Sequence, residues 1–382
     1  MNKPLYLDSH STTPVDPQVL EAMLPYFTEE YGNAASKSHI YGVNAFQAVE
    51  TGREIIAKSI NAKSQEIIFT SGATEAINLA IKGLAFKNKE KKHFITIKTE
   101  HKAVLDCYEW IQSLGHEITL IDVNAFGEID LEKLSLNIQE NTILVSVMHA
   151  NNETGIIHPI KKIGEICREN GVFFFTDATQ TMGKEHLDVE SMKIDMLACS
   201  AHKLNGPKGI GVLYVRRSRP RIKLDAIIHG GGHEKGLRSG TLNVPGIVGF
   251  AEAIRILSKD REKKQVQLRE IRDTFWNEIK TNIPTAQLNG KLENRLAANL
   301  NISFQGVESE ALIIALKNDV AVSSGSACTS DAVYPSHVLK AMGFDEDRIY
   351  SSIRFGIDNV NHNEETGKKI ITISEQFNRL NF

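Results

Sequence analysis

The sequence predicts an α/β protein: a mostly parallel sheet covered by helices on both faces, with a smaller unit following it. Three observations carry that prediction. Between residues 67 and 215, short apolar runs too brief for helices alternate with longer segments of helical periodicity. Polar and small residues gather just past several of these runs, at the edge where open parallel sheets bind ligands. The 382 residues exceed what one small core organises, so two or three domains are expected.

Taken in order, residues 5–8 read as a short strand, followed by the turn Ser9-His10-Ser11-Thr12-Thr13-Pro14. Residues 15–27 read as one helix with Pro17 in its first turn, where the missing N–H costs nothing. Residues 43–60 are helical, with Val49, Ile56 and Ile60 at roughly helical spacing. Ile67-Ile68-Phe69 is a strand, Ser71-Gly72-Ala73-Thr74 a tight turn, and residues 75–83 a helix. Strands follow at 93–97, 117–121, 143–147, 172–175, 194–199 and 210–215, with helices at 102–114, 131–138 and 161–169 among them. From 254 to 283 a single charged helix with an apolar stripe at Leu268, Ile271, Phe275 and Ile279 leads into the second unit. There, residues 300–304 and 320–322 are strands and 308–317 a helix.

Composition excludes several classes. A chain that is 41% hydrophobic and 24% charged is ordinary for a globular protein, and a net charge of -3 gives no electrostatic reason to expect nucleic acid. The basic run Arg216-Arg217-Ser218-Arg219-Pro220-Arg221 reads as a solvated strand end, with docking of an acidic partner as the alternative. Cys107, Cys167, Cys199 and Cys328 are far apart and form no Cys-x-x-Cys, which suits a reducing cytoplasm. The start lacks the apolar core of a signal peptide and no segment approaches membrane-spanning length, so a cytoplasmic enzyme is expected. His229-Gly230-Gly231-Gly232-His233 has a metal-like spacing but too few ligands, and no metal is expected.

The chemistry-bearing residues sit at strand ends. Val172-Phe173-Phe174-Phe175 runs into Thr176-Asp177, and the apolar segment 194–199 runs into Ser200-Ala201-His202-Lys203. Alone, Lys203 reads as a surface lysine and Asp177 as a loop or cap residue. Together they suit pyridoxal phosphate: a lysine forms a Schiff base with the aldehyde, and a carboxylate pairs with the pyridinium nitrogen. The turn at Ser71–Thr74 opens a helix, whose free N–H groups favour an anion, although an ordinary helix cap reads the same way. Cys328 lies in Ser323-Ser324-Gly325-Ser326-Ala327-Cys328-Thr329-Ser330, a stretch without a bulky anchor, where a thiol is exposed and reactive. The other three cysteines lie in helix or strand patterns and read as structural. Arg354, in Ser351-Ser352-Ile353-Arg354-Phe355, needs a carboxylate; a substrate and a neighbouring Asp are equally good from these residues alone.

Asp177-Ala178-Thr179-Gln180, Ser200-Ala201-His202-Lys203 and the Cys328 stretch resemble the class-V aminotransferase-fold cysteine desulfurases, the group that includes the nitrogen-fixation and iron–sulfur-assembly enzymes. The resemblance covers nearly the whole chain. It implies a fold-type I enzyme: a large domain at 14–255 with a seven-stranded sheet, and a small α+β domain at 1–13 and 256–382 that carries the cysteine loop. It implies pyridoxal phosphate held by Ala73, Thr74, Ser200 and His202, with Thr241 contributed across a homodimer interface. Asn152 and Gln180 would meet the ring oxygen, Asp177 the ring nitrogen and His101 the ring face. Arg354 and the loop carrying Asn33, where Ala34 replaces the usual proline, would hold L-cysteine. With Lys203 and His101 moving protons, Cys328 would take the substrate sulfur as a persulfide, release alanine and pass sulfur to an iron–sulfur scaffold or a carrier for tRNA thiolation. A selenocysteine lyase or related β-lyase is the nearest alternative, and Cys328 argues against it. A non-catalytic interaction subunit is the alternative of another class; joint retention of Lys203, Asp177, His101 and Cys328 argues against that. Besides Ala34, two further departures from the family pattern stand out: His10-Ser11 in place of Ser-Ala, and Ala201 in place of glycine.

Overall fold

The computed structural model describes residues 3–88, 90, 92–324 and 335–357. The first part of the chain forms β1 (Leu5–Tyr6), α1 (Pro17–Met23), α2 (Pro25–Thr28), α3 (Ile40–Ser59), β2 (Ile67–Thr70) and α4 (Ala73–Lys87). Next come β3 (His93–Ile97), α5 (Lys102–Ser113), β4 (Glu117–Ile121), α6 (Leu131–Leu136), β5 (Thr142–Ser146), α7 (Ile160–Glu169), β6 (Phe173–Asp177), β7 (Met196–Ser200) and β8 (Gly211–Val215). The remainder forms α8 (Val244–Ser258), α9 (Arg261–Asn282), β9 (Gln287–Leu288), β10 (Asn299–Ser303), α10 (Ser309–Leu316), β11 (Val320–Ala321), α11 (His337–Ala341), α12 (Glu346–Tyr350) and β12 (Ser352–Gly356).

Seven strands form one sheet in the order β2-β8-β7-β6-β5-β3-β4. Strands β4 through β7 pair in parallel, while β8 runs antiparallel to both β7 and β2. Successive residues of a strand point to opposite faces, and both faces here are apolar. Ile95, Val145, Phe174 and Leu197 join a cluster with residues of α3, α7 and α8. Their neighbours Phe94, Leu144, Phe175 and Ala198 join another with α4 and α5. Burial on both sides explains why these strands read as continuous apolar runs, and only the edge strand β4 is largely exposed.

Two expected helices are divided. Residues 15–27 break at Leu24, because Pro25 has no N–H to continue α1 and instead opens α2. Residues 254–283 break before α9, where Asp260 adopts the left-handed conformation at φ 58°; α8 itself starts at Val244, upstream of the expected helix. The helix after the Ser71 turn is longer than expected, starting at Ala73 and ending at Lys87.

A second sheet sets β10 between β9 and β12, all antiparallel. Its core holds Phe275, Ile279, Leu300, Ile302 and Phe355, together with Leu7 from the N-terminal segment. That segment is stitched in along its length. Leu5 pairs with Val320 in a parallel β1–β11 ladder, as expected for the N-terminal strand, and Asp8 bridges to Gly356. Beyond it, the Thr13 N–H donates to the His202 carbonyl and the Asp16 N–H to the Asn205 carbonyl, both at 2.9 Å.

A further staple joins the loop after β5 to this second core. Gly155 sits at φ +73°, where a side chain would be strained, and a Cβ there would come within 2.5 Å of the Asn299 side chain. The Leu296 N–H donates to the Gly155 carbonyl, and the Asn299 and Asn301 amides both reach the Glu153 carbonyl at 3.2 Å. Gly155→Ala is therefore expected to lower unfolding free energy by about 2 kcal/mol or more, combining left-handed strain with the clash, as read by chemical denaturation.

The same loop buries His158, and neither ring nitrogen has a hydrogen-bond partner among the described residues. Burial pushes its pKa down to about 4, partly offset by Glu128. An unfolded histidine takes up its proton near pH 6.5, whereas the folded one resists, so this contribution to stability is lost as pH falls from about 6.5 toward 4. Relative to His158→Leu, the wild type is expected to lose stability over that window at up to about 1.4 kcal/mol per pH unit. A constant difference across the window in denaturation curves would contradict this.

Candidate active site

Asp177 is the last residue of β6 and lies opposite Ala198 of β7, so its carboxylate sits at the carboxyl edge of the sheet. It is 6% exposed, and its Oδ1 accepts the Thr179 N–H at 2.9 Å. Lys203 closes a single 3-10 turn directly after β7. Its Nζ donates to the carbonyls of His10 and Ser11, both at 2.5 Å. Two strands that neighbour each other in the sheet thus deliver the acid and the amine to one edge.

His101 reaches the same edge from the end of β3. It caps α5, with Nδ1 accepting the Ala103 N–H at 3.1 Å, so the proton of the neutral ring resides on Nε2. Burial lowers its pKa; Asp177 opposes that shift and Lys203 reinforces it, which places all three groups in one electrostatic field. Beside it, Glu100 was legible only as a polar loop residue. Its Oε1 accepts the Met148 N–H at 2.5 Å, while the buried Oε2 has no partner among the described residues. Burial first, and then the nearby Asp177, push its pKa well up, which biases this carboxyl toward its protonated form. The carbonyl of Glu100 takes the His337 Nε2–H at 2.8 Å, seating α11 on this loop.

The turn before α4 is an anion cradle. Gly72 caps the helix and has no side chain of its own to bond the N–H groups of the first turn, the end of a helix that favours an anion. Gly211 of β8 lies directly against it: a Cβ on Gly211 would fall 2.6 Å from Gly72 backbone atoms. Ser200 is adjacent, its Oγ 3.7 Å from where a Gly72 Cβ would stand. Ala73 and Thr74 therefore face a hydroxyl three residues before Lys203, a donor set that fits a phosphate. Glu75, in the same first turn, is paired with Arg238 at 2.8 Å, which with the Ser71 N–H holds its carboxyl down despite burial. That ion pair gives the 238–241 stretch a local partner that the sequence did not reveal; Thr241 itself is exposed. The His202 Nδ1 contacts the Thr12 Oγ1 at 3.1 Å, and burial followed by Lys203 lowers its pKa to about 4.

Arg354 lies in β12, 2% exposed. Its Nη2 donates to the Asp8 Oδ1 at 2.8 Å and the Ser11 Oγ at 2.6 Å, and its Nη1 to the Asn152 carbonyl at 3.2 Å. Its Nε is buried without a partner among the described residues. Of the two partners considered for this arginine, the neighbouring aspartate is present. Ser323 joins the same knot, its Oγ on the Asp8 Oδ1 at 3.0 Å and its carbonyl on the Arg354 N–H at 2.8 Å. Cys328 follows, and lies outside the described residues. Gln180, 4% exposed, meets His10 through both amide atoms. Asn33 is not drawn into these contacts: it is exposed, its Oδ1 engaged by the Ala35 N–H at 2.9 Å. The basic run is half structural, since Arg216 is buried and paired with Asp195 at 3.0 Å.

Comparison with known proteins agrees with this architecture. The class-V aminotransferase family profile matches residues 5–368. Cysteine desulfurase IscS of Anaeromyxobacter dehalogenans is 52% identical over 381 residues, covering 100% of this chain and 94% of that relative. A solved NifS-like protein superposes with a TM-score of 0.91 at 34% identity, covering 99% of this chain and 100% of that one. SspA in complex with cysteine superposes at 0.82 with 37% identity, covering 92% of this chain and 98% of that one. The fold, the edge of the sheet where lysine and aspartate meet, and these likenesses agree: the chain belongs to the class-V aminotransferase family, among the members named cysteine desulfurase.

Proposed function

We propose that this protein is a pyridoxal phosphate-dependent cysteine desulfurase that converts L-cysteine to L-alanine and takes the sulfur onto Cys328. The observation that carries this reading is the convergence of Lys203, Asp177 and the bare N-terminus of α4 on one sheet edge. The names of the full-length relatives support the same reaction.

In this reading Ala73, Thr74, Ser200 and His202 hold the cofactor, with Thr241 supplied by the second subunit of a homodimer. When bound, pyridoxal phosphate supplies an electron-withdrawing ring that stabilises negative charge on the substrate α-carbon. Asp177 would pair with the ring nitrogen, and the raised pKa of Glu100 nearby leaves Asp177 as the carboxylate suited to that role. Asn152 and Gln180 would meet the ring oxygen. Lys203 would hold the cofactor through its aldehyde and would move protons together with His101, whose Nε2–H is the ring's donor edge. Arg354 exchanges part of its bonding to Asp8 and Ser11 for the substrate carboxylate, and Asn33 lines the entrance. The Cys328 thiolate attacks the substrate sulfur: an S–S bond forms, the substrate C–S bond breaks, its electron pair stays on the carbon skeleton, and alanine leaves after protonation.

Homodimerisation is supported by the apolar residues Leu20, Leu24, Phe27, Tyr31, Ile40 and Phe46, all exposed on the N-terminal helices and their connecting loop. The acceptor is an iron–sulfur scaffold or a sulfur-carrier protein, a class consistent with the relatives' name. A reducing, cytoplasmic setting fits the free, buried Cys107, Cys167 and Cys199; among the described residues no helix is long and apolar enough to cross a membrane. A division into 14–255 against 1–13 and 256–382 fits the separate apolar core built from Leu7 and residues from Leu268 onward, with the helix break at Asp260 close to that boundary.

Borohydride treatment followed by peptide mapping is expected to recover the pyridoxyl label on Lys203; a label on another lysine, or none, ends the cofactor assignment. Cys328→Ala is expected to bind cofactor and substrate normally but to release alanine at least about 100-fold more slowly, since an external thiol is not positioned for attack. Substituting Cys107, Cys167 or Cys199 by alanine should leave turnover close to wild type. Burial pushes all three thiols up, Cys107 to about 12, which denies them the thiolate. Near-full activity in Cys328→Ala would make a lyase the better reading.

A further inference from the structure

We propose that His10 is a positioning residue that fixes which way round the Gln180 amide faces, so that Gln180 meets the bound cofactor as a hydrogen-bond donor. The inference rests on the cofactor assignment above. The His10 ring is 2% exposed and lies between two oxygens, with Nδ1 3.0 Å from the Gln180 Oε1 and Nε2 3.2 Å from the Ala298 carbonyl. Gln180 in turn donates its Nε2–H to the His10 carbonyl at 3.1 Å. A neutral imidazole has a single N–H, so only one of the two oxygens is served. Burial, reinforced by the cations Arg354, Lys184 and Lys203, keeps the ring neutral, with a pKa lowered to about 3.

The geometry places the proton on Nδ1. That contact is the shorter one, and the Ala298 carbonyl already accepts the Ile357 N–H at 2.8 Å. Turning the amide over would set the Gln180 Oε1 against the His10 carbonyl, acceptor facing acceptor. With Nδ1–H on Oε1, the amide has one orientation: its oxygen is engaged, one N–H is on the His10 carbonyl, and the second N–H remains as its donor to a ligand. The same carbonyl receives the Lys203 Nζ, so one residue sets the amine and the amide relative to each other.

A donor on the ring oxygen favours its anion, so the test is the pH midpoint of the bound cofactor's visible absorbance change. The reconstituted full-length protein is compared as wild type, His10→Leu, His10→Asn and Gln180→Ala, with the double variant His10→Leu/Gln180→Ala. His10→Leu is expected to raise the midpoint by about one pH unit. His10→Asn, whose Nδ2 replaces Nδ1 as donor, should restore it, and His10→Leu should add nothing in the Gln180→Ala background. A wild-type midpoint in His10→Leu, or an equal shift in His10→Asn, overturns the proposal. So does nitrogen-15 resonance of the cofactor-free protein showing the His10 proton on Nε2, a measurement that decides the matter even if His10→Leu does not fold. A wild type that binds no pyridoxal phosphate defeats the cofactor reading instead, and the tautomer measurement still judges His10.

Discussion

The structure depends on what the N-terminal segment holds. Within a dozen residues it pairs with β11, receives Arg354 on Asp8, offers two carbonyls to Lys203, and hydrogen-bonds to the turn after β7 through Thr13 and Asp16. The amine, the guanidinium and the second core are thereby referred to a single stretch of backbone. Gly356 permits this, because a Cβ there would come within 2.9 Å of both the Ser9 N–H and the His10 ring. Most of these contacts are made by main-chain groups, which side-chain variation at positions 10 and 11 leaves in place. That accounts for how His10-Ser11 can depart from the family pattern while Lys203 keeps its acceptors.

Charge at the site follows from burial more than from composition. Six ionisable groups crowd the edge: Asp177, Lys203, Glu100, His101, His202 and His10. Desolvation heads the causes for the last four and drives each toward its neutral form. The acid ending β6 and the amine after β7 thus sit among groups that burial biases toward neutral donors and acceptors, with the Arg354–Asp8 pair nearby.

The fold was legible because the central strands are buried on both faces, which writes itself as uninterrupted apolar runs such as 172–175 and 194–199. Lys203 and Asp177 stood out because each follows such a run directly. The helix ends were less legible: the reading of residues 15–27 as one helix weighed Pro17 but not Pro25, and Asp260 carries no signal of its left-handed backbone. Glu100, His10 and Arg238 could not be found by pattern, since each is defined by a partner from a distant part of the chain: Met148, Gln180 and Glu75 respectively. Arg354 illustrates the same limit. Its need for a carboxylate was evident, yet only the ladder that brings Asp8 to Gly356 shows which one the chain itself supplies.

That ladder also imposes an order on assembly. Leu5 pairs with Val320 and Asp8 with Gly356, so the opening residues emerge from the ribosome more than three hundred positions ahead of their partners. The seven-stranded sheet, complete by Val215, can collapse while the head of the chain is still unattached. The Thr13 and Asp16 links to the turn after β7 can form early, but the ladder that fixes the segment on its other side waits for β11 and β12. Loop closure over such a span is slow compared with local pairing. A ribosome-bound chain would therefore hold a folded sheet whose lysine pocket is fastened on one side only, and the second fastening would come when residues 5–8 meet β11 and β12.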